Sequence, residues 1–344
     1  MLTANVHKTF TASRDPEAEQ LLADVLQKMG AELSSTGLTV CLGGSYGRGE
    51  GGVRQDRDKG ILYNDLDFFV FGKKSRQHET LLKEISHRYE KMLHIDVDFS
   101  RITDPGEIKS SARRLMMQEL KRGYALVCGP DVLAALLPEF PASALPFSEC
   151  CRLLLNRGMG LLLAGEKIAR NASDTDFILR NINKALLGTG DAMLIASGNY
   201  KWRLAERKEA LKALGLSAEY HALYERAAAF KSAPTAQGVT DLLSFWQQAK
   251  GFYLAGLFRC AGCQQTDDLL KHLYDRCSES DELSFIHFFK YCLKSRSFCC
   301  RGMKYFFLPP VAQLLPGVSA ALQHSAPVSL DRSGRLYRQW LLFN

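Results

Sequence analysis

Between residues 16 and 35 the apolar positions Leu21, Leu22, Val25, Leu26 and Met29 recur at helical spacing, so this stretch is expected to be an amphipathic helix. A short apolar run, Leu38 to Leu42, follows and ends in Gly43-Gly44-Ser45. That pattern reads as a buried strand breaking into a glycine turn. Residues 51–60 carry glycines and charges without an apolar period and read as a flexible loop. Leu66 to Phe71 is a second strand, 76–92 a charged amphipathic helix, and Leu93 to Phe99 a half-buried strand in which apolar and acidic residues alternate. A helix near 107–122 and a short strand at Ala125–Cys128 complete the series, closed by Gly129-Pro130.

Pro138, Pro141 and Pro146 mark a boundary near 140–147. Beyond Phe147 the apolar positions keep helical periods over 148–170, 175–197, 201–214, 217–231, 237–258, 266–278 and 282–296, and the prolines Pro309, Pro310 and Pro316 break up 305–344. The expectation is an α+β chain. A small domain of mixed strands and helices occupies residues 1–145, and an all-helical domain, most simply a bundle, occupies 146–344.

Composition narrows this picture. An apolar fraction of 46% is that of a globular protein, and no segment approaches the ~18 consecutive apolar residues of a membrane helix. Met1 to Arg14 lacks the basic start and apolar run of a secretory signal, so the expected setting is cytoplasmic, without membrane partners. Ten cysteines in such a chain are expected to stay reduced, including the adjacent pairs Cys150–Cys151 and Cys299–Cys300. Cys260-Ala-Gly-Cys263 has metal-ligand spacing but would need two more ligands, which Cys277 with His272 or His287 could supply. Charge is uneven. Residues 1–150 hold 19 Lys+Arg against 21 Asp+Glu, a net −2, and the remainder holds 25 against 16, a net +9. A basic second half suits a polyanion such as a triphosphate or RNA, and equally an ordinary charged surface.

Three pieces carry candidate chemistry. In Gly43-Gly44-Ser45-Tyr46-Gly47-Arg48-Gly49 the glycines let backbone approach a ligand, Ser45 offers a hydroxyl, and Arg48 offers a fork of donors suited to phosphate. No Gly-Lys-Ser/Thr follows, so this is not a Walker loop. In Asp65-Leu66-Asp67 the two acids fall on one face of a strand, an unfavourable crowding unless a cation sits between them. His94-Ile95-Asp96-Val97-Asp98-Phe99 repeats the arrangement. If the two strands are neighbours, three carboxylates could hold two metals ~3.5–4 Å apart for in-line phosphoryl displacement.

Together, Gly44-Ser45-Tyr46-Gly47-Arg48-Gly49, Asp65-Leu66-Asp67 and Ile95-Asp96-Val97 resemble the DNA polymerase beta nucleotidyltransferase superfamily, whose pattern is Gly-Ser, a downstream Asp-x-Asp and a third acid on a later strand. The resemblance covers roughly residues 38–130. It implies a mixed sheet flanked by helices, magnesium (two ions, with manganese as a substitute) and a nucleoside triphosphate donor. It further implies that Gly44 and Ser45 meet the donor's phosphates with help from Arg48, that Asp65 and Asp67 bind both metals, and that Asp96 binds the metal at the acceptor hydroxyl and takes its proton. Asp98 is the rival for that role. The twenty residues from Ser45 to Asp65 exceed the spacing in many members, which leaves an extra loop, 50–63, to cover the nucleotide or bind the acceptor.

In the helical half, Lys184, Gly188 and Asp191 share a helix face, and Gly198-Asn199 precedes Tyr200, Trp202 and Arg203. Lys184 is a candidate to reach the triphosphate and Tyr200 to stack on a base; the plainer reading is a solvated lysine beside packed aromatics. The aromatic runs Phe285, Phe288, Phe289, Tyr291 and Tyr305-Phe306-Phe307 read as core, and His94 as a structural histidine. The expected reaction is transfer of a nucleoside monophosphate, AMP in the first instance, to a hydroxyl on a small molecule, an RNA end or a protein, with release of pyrophosphate. The rival classes are an RNA-directed toxin and a non-catalytic nucleotide-binding interaction protein.

Overall fold

The computed structural model of the chain describes residues 9–56, 59–236, 238–280, 308–327 and 334–341. The chain divides into two compact units. One comprises Met1–Pro141 together with Ala229–Thr235, the other Ala142–Ala228 together with Ala236–Asn344.

The first unit is a small mixed sheet with helices on both faces. Helix α1 (Pro16–Leu33) starts where the Asp15 carboxylate accepts the Ala18 N–H at 3.0 Å and Pro16 presets the first turn. Its buried stripe of Ala18, Leu22, Val25, Leu26, Met29 and Leu33 fits the helical period. Strand β1 (Thr39–Leu42) is buried throughout and leads into a single helical turn, α2 (Gly44–Gly47). The segment expected to be a loop instead holds a hairpin, β2 (Val53–Asp56) antiparallel to β3 (Lys59–Leu62). It lacks an apolar run because, among its described positions, burial falls on Val53 and Leu62 while Arg54, Gln55 and Lys59 are exposed.

Strand β4 (Asp65–Phe71) follows, then helix α3 (Arg76–Leu93), capped by Ser75 and closed by His94 in the left-handed region at φ 55°. The helix therefore runs through Leu93, and β5 (Asp96–Phe99) starts later than the alternation from Leu93 suggested. The helix expected over 107–122 is also broken. A short turn at Pro105–Glu107 leads into α4 (Ile108–Ser111), and α5 (Leu115–Arg122) begins after an extended Arg114. The Ala112 carbonyl at the break accepts a hydrogen bond from the buried Gln118 side chain at 2.8 Å, which replaces a helical partner. Strand β6 (Ala125–Cys128) and helix α6 (Val132–Leu136) complete the unit.

The sheet order is β5-β4-β1-β6, with β1 antiparallel to β4 and β6, and β4 parallel to β5. Alternation along β4 sorts its side chains. Leu66, Phe68 and Val70 enter a core with α1 and α3, whereas Phe69 and Phe71 pack with Cys41, Met117 and Leu120 on the opposite face. Asp65 and Asp67 share the parity of that second face, at the end of the strand where the apolar residues stop.

The second unit is helical among its described residues: α7 (Phe147–Ala169), α8 (Thr175–Ala196), α9 (Leu204–Lys212), most of α10 (Ala218–Ser232), α11 (Leu242–Ala261), α12 (Thr266–Ser280) and shorter helices at Pro310–Gln313, Leu315–Gln323 and Arg335–Trp340. Glycines on α7 admit bulky residues of α11. A Cβ on Gly158 would lie 2.4 Å from the Tyr253 hydroxyl, and one on Gly165 2.8 Å from the Trp246 ring. Both aromatic residues are buried and donate to α7 carbonyls, Trp246 to Leu161 at 2.8 Å and Tyr253 to Leu154 at 2.9 Å. The expected helix at 282–296, Cys299–Cys300 and the aromatic runs Phe285–Tyr291 and Tyr305–Phe307 lie outside the described residues.

Candidate active site

The end of β1, the start of β4 and the start of β5 meet in one place, and the reason is backbone pairing. Parallel register sets Asp65 opposite Asp96 and Asp67 opposite Asp98. Residues paired in this way project to the same side of a sheet, so the four acids share one face. Leu66 and Val97 between them are fully buried on the other face. Asp65 and Asp67 are half-buried, and Asp96 and Asp98 are exposed. The register gives Asp65 and Asp67 each its own acidic neighbour, so Asp98 stands beside the pair as well as Asp96.

The glycine turn is fastened to the same spot. The Gly43 N–H donates to the Asp67 carbonyl at 2.8 Å. Gly44 has φ +60°, a conformation that L side chains avoid, and a Cβ there would lie 2.2 Å from Asp67 Oδ2. The Asp67 carboxylate therefore rests directly against the turn that carries Ser45. Ser45 itself is half-buried, at the second position of the helical turn.

Tyr46 ties the turn to the segment that precedes Asp65. Its buried hydroxyl accepts the Tyr63 N–H at 2.8 Å and donates to the Gly52 carbonyl at 2.7 Å. Burial pushes this phenol far above its usual range, and the nearby Asp65 charge pushes it further in the same direction. The next residue, Asn64, sits at φ 82°, and its side-chain amide donates to Asp65 Oδ1. The sequence pattern marks Tyr46 only as part of the glycine motif and does not single out Asn64. A usable signal was present, since asparagine is enriched at positive φ.

Arg48 needs a correction. Its side chain is largely buried, Nη1 lies 3.2 Å from Glu119 Oε2, and Nε lies 3.9 Å from Glu50 Oε2. Lys231 Nζ reaches the same Glu50 oxygen at 3.1 Å. The guanidinium expected to assist at phosphate is thus paired with Glu119 through one nitrogen and lies near Glu50, while its buried Nε makes no hydrogen bond among the described residues. Arg101, three residues beyond Asp98, pairs with Glu107 at 3.0 Å.

The helical unit corrects a second expectation. Tyr200 is 2% exposed, which leaves no open ring face for a base. Its hydroxyl takes a hydrogen bond from Arg207, and its ring meets Trp202 edge-on at 5.4 Å. Arg207 also pairs with Asp191 at 3.3 Å, and the Tyr224 hydroxyl donates to Asp191 at 2.7 Å. Asp191 and Tyr200 therefore belong to a buried polar network. Lys184 is half-buried on α8, within the second unit. The glycines on its helix face and beside it are packing positions, since a Cβ on Gly188 would meet Arg157 at 2.4 Å and one on Gly190 would meet Tyr224 at 2.4 Å.

Cys260 is buried in α11 and shares a hydrogen bond with the Cys150 thiol; burial together with that bond pushes Cys150 well above the usual thiol range. Cys263 is half-buried just past the helix end, and His287 is outside the described residues. Among the described residues no three His, Cys, Asp or Glu side chains converge closely enough to hold a metal ion, so the carboxylates of Asp65, Asp67 and Asp96 share a face without forming a ready-made cage. No described helix is long and apolar enough to cross a membrane.

No family model matches the chain, and neither does any curated protein or solved structure.

Proposed function

We propose that the first unit is the catalytic domain of a magnesium-dependent nucleotidyltransferase, similar to the DNA polymerase beta superfamily, which moves a nucleoside monophosphate from a triphosphate to a hydroxyl and releases pyrophosphate. The observation that carries this reading is the parallel β4–β5 register, Asp65 beside Asp96 and Asp67 beside Asp98, with the Gly44 turn against Asp67. Carboxylates crowded on one face favour a cation among them.

The donor set fits magnesium, which takes carboxylate oxygens together with substrate phosphates. Asp65, Asp67 and Asp96 would hold it, and when bound it supplies charge neutralisation on the triphosphate and acidifies the acceptor hydroxyl. The remaining chemistry belongs to the chain. The Ser45 hydroxyl and the backbone of the glycine turn bind the donor's phosphates. Asp96, the more exposed member of its register pair, accepts the proton of the attacking hydroxyl. Catalysis is mainly positioning and charge stabilisation. Arg48, held by Glu119 and Glu50, braces the turn.

The test is to incubate the purified protein with magnesium, α-labelled nucleoside triphosphates and a cell lysate. The reading expects a labelled product from wild type and none from Asp65→Asn or Asp67→Asn, each variant shown to be folded by its melting transition. Label transfer at near-normal rate by both variants would refute the site. Fractionating the labelled product into small molecules, RNA and protein identifies the acceptor.

A further inference from the structure

The residue immediately before the first acid stands out for its backbone and its side chain together. Asn64 lies at φ 82°, one of four non-glycine residues at positive φ among those described. Its backbone leads straight into β4, whose first residue, Asp65, is paired with Asp96 of β5. The residue before it is clamped too, because the Tyr63 N–H bonds the Tyr46 hydroxyl at 2.8 Å and the Tyr63 ring packs edge-on against Phe230 at 6.0 Å. With both flanks held, the left-handed turn at Asn64 aims its short carboxamide at its own neighbour, and the amide donates to Asp65 Oδ1.

We infer that Asn64 is a positioning residue for Asp65: its amide holds one carboxylate oxygen and so fixes the orientation in which the carboxylate faces Asp96 across the strand pair. This rests on reading Asp65 as a cation ligand. A carboxylate on a side chain with two rotatable bonds can turn its oxygens to many directions, and an amide donor anchored by a fixed backbone selects one of them. The donor is neutral, so it orients the carboxylate without cancelling the charge a cation would seek. Asparagine suits the position on both counts. It tolerates positive φ better than other residues that carry a donor, and its reach matches an adjacent side chain.

The experiment titrates the full-length protein with Mn2+ in the presence of a non-hydrolysable ATP analogue, with free Mn2+ read by electron paramagnetic resonance. Four proteins are compared: wild type, Asp65→Asn, Asn64→Gly and Asn64→Ser. Asn64→Gly keeps the left-handed backbone at no steric cost and removes only the amide. The inference expects its Mn2+ affinity to fall roughly 10- to 100-fold, the range for losing a partner that orients a metal ligand, while its melting temperature stays at the wild-type value. Asn64→Ser returns a short donor and is expected to bind Mn2+ more tightly than Asn64→Gly. An Asn64→Gly affinity within twofold of wild type overturns the inference, as does Asn64→Ser binding no better than Asn64→Gly. Wild type that binds no Mn2+, or binds it as tightly after Asp65→Asn, refutes instead the reading of Asp65 as a ligand.

Discussion

Replacing Gly44 by alanine tests the junction between the glycine turn and Asp67 without any substrate. Two costs are expected. A non-glycine residue at φ +60° costs roughly 1–2 kcal/mol, of which about 0.4–1 kcal/mol is offset because alanine restricts the unfolded chain more than glycine does. The second cost is steric. The new methyl would lie 2.2 Å from Asp67 Oδ2, 3.0 Å from Cγ and 3.2 Å from Cβ, so the carboxylate must move. Overpacking of this kind typically adds about 1–3 kcal/mol.

Gly37 provides the control. It has φ +70° and nothing within 4 Å of an added Cβ, so Gly37→Ala carries the backbone cost alone, roughly 1 kcal/mol. Gly44→Ala is expected at about 2–4 kcal/mol. The three tryptophans, Trp202, Trp246 and Trp340, all lie in the second unit, so their fluorescence would report on the wrong half of the molecule. Native-state hydrogen exchange of the β1 and β4 amides is the suitable assay. Adding Asp67→Ala to Gly44→Ala removes the two closest atoms and leaves Cβ at 3.2 Å, so most of the steric part should disappear as a coupling of about 1–3 kcal/mol. If Gly44→Ala is no worse than Gly37→Ala, or the double variant shows no coupling, the turn does not rest on Asp67 and the candidate site loses its frame.

Two further outcomes follow from the same contacts. Tyr46→Phe strands the Tyr63 N–H and the Gly52 carbonyl in a buried setting and should cost about 1–3 kcal/mol, read as faster exchange of the β4 amides; unchanged exchange would mean that the hydroxyl does not tie the turn to the hairpin. Asp191→Ala leaves the Arg207 guanidinium, only 4% exposed, without its carboxylate and should cost about 3–5 kcal/mol, visible as a lower denaturant midpoint by tryptophan fluorescence; a shift below 1 kcal/mol would deny that pair a role in holding the second unit together.

What the sequence revealed depends on how local the cause is. Helices such as α1 and α8 and a strand such as β4 carry their own period, because the buried face must repeat every 3.6 or 2 residues, and β1, buried throughout, shows as a short apolar run. The β2–β3 hairpin carries none. Arg54 and Gln55 oppose Ile61 and Gly60, and pairing rather than burial holds most of its length. His94 was invisible as a helix stop because its left-handed conformation looks, in one dimension, like the first polar position of an alternating strand. The fate of Arg48 was set by Glu119, 71 residues away, and that of Tyr200 by packing against Arg207 and Trp202. No local pattern announces such partners. The acid face was legible for the opposite reason, since two Asp-x-Asp segments on strands need only become neighbours to produce it.

The register also changes what must decide between Asp96 and Asp98. In the observed pairing each acid of β4 is level with its partner on β5, roughly 4.8 Å away across the strands, and the two acids of one strand are separated along it by two residues, roughly 6.6 Å. Asp96 with Asp65 and Asp67 is then nearly the mirror image of Asp98 with the same two residues, and the sheet alone favours neither. The asymmetry comes from outside β4 and β5. The glycine turn presses on Asp67, at the Asp98 level, while Asn64 grips Asp65, at the Asp96 level. A donor phosphate held by the turn would lie toward Asp67 and Asp98. An acceptor approaching from the far side of the donor would meet Asp65 and Asp96. Under the proposed function, the placement of the turn against Asp67 is what favours Asp96 over Asp98 for the acceptor's proton, and that preference would be lost if Gly44 did not stay against Asp67.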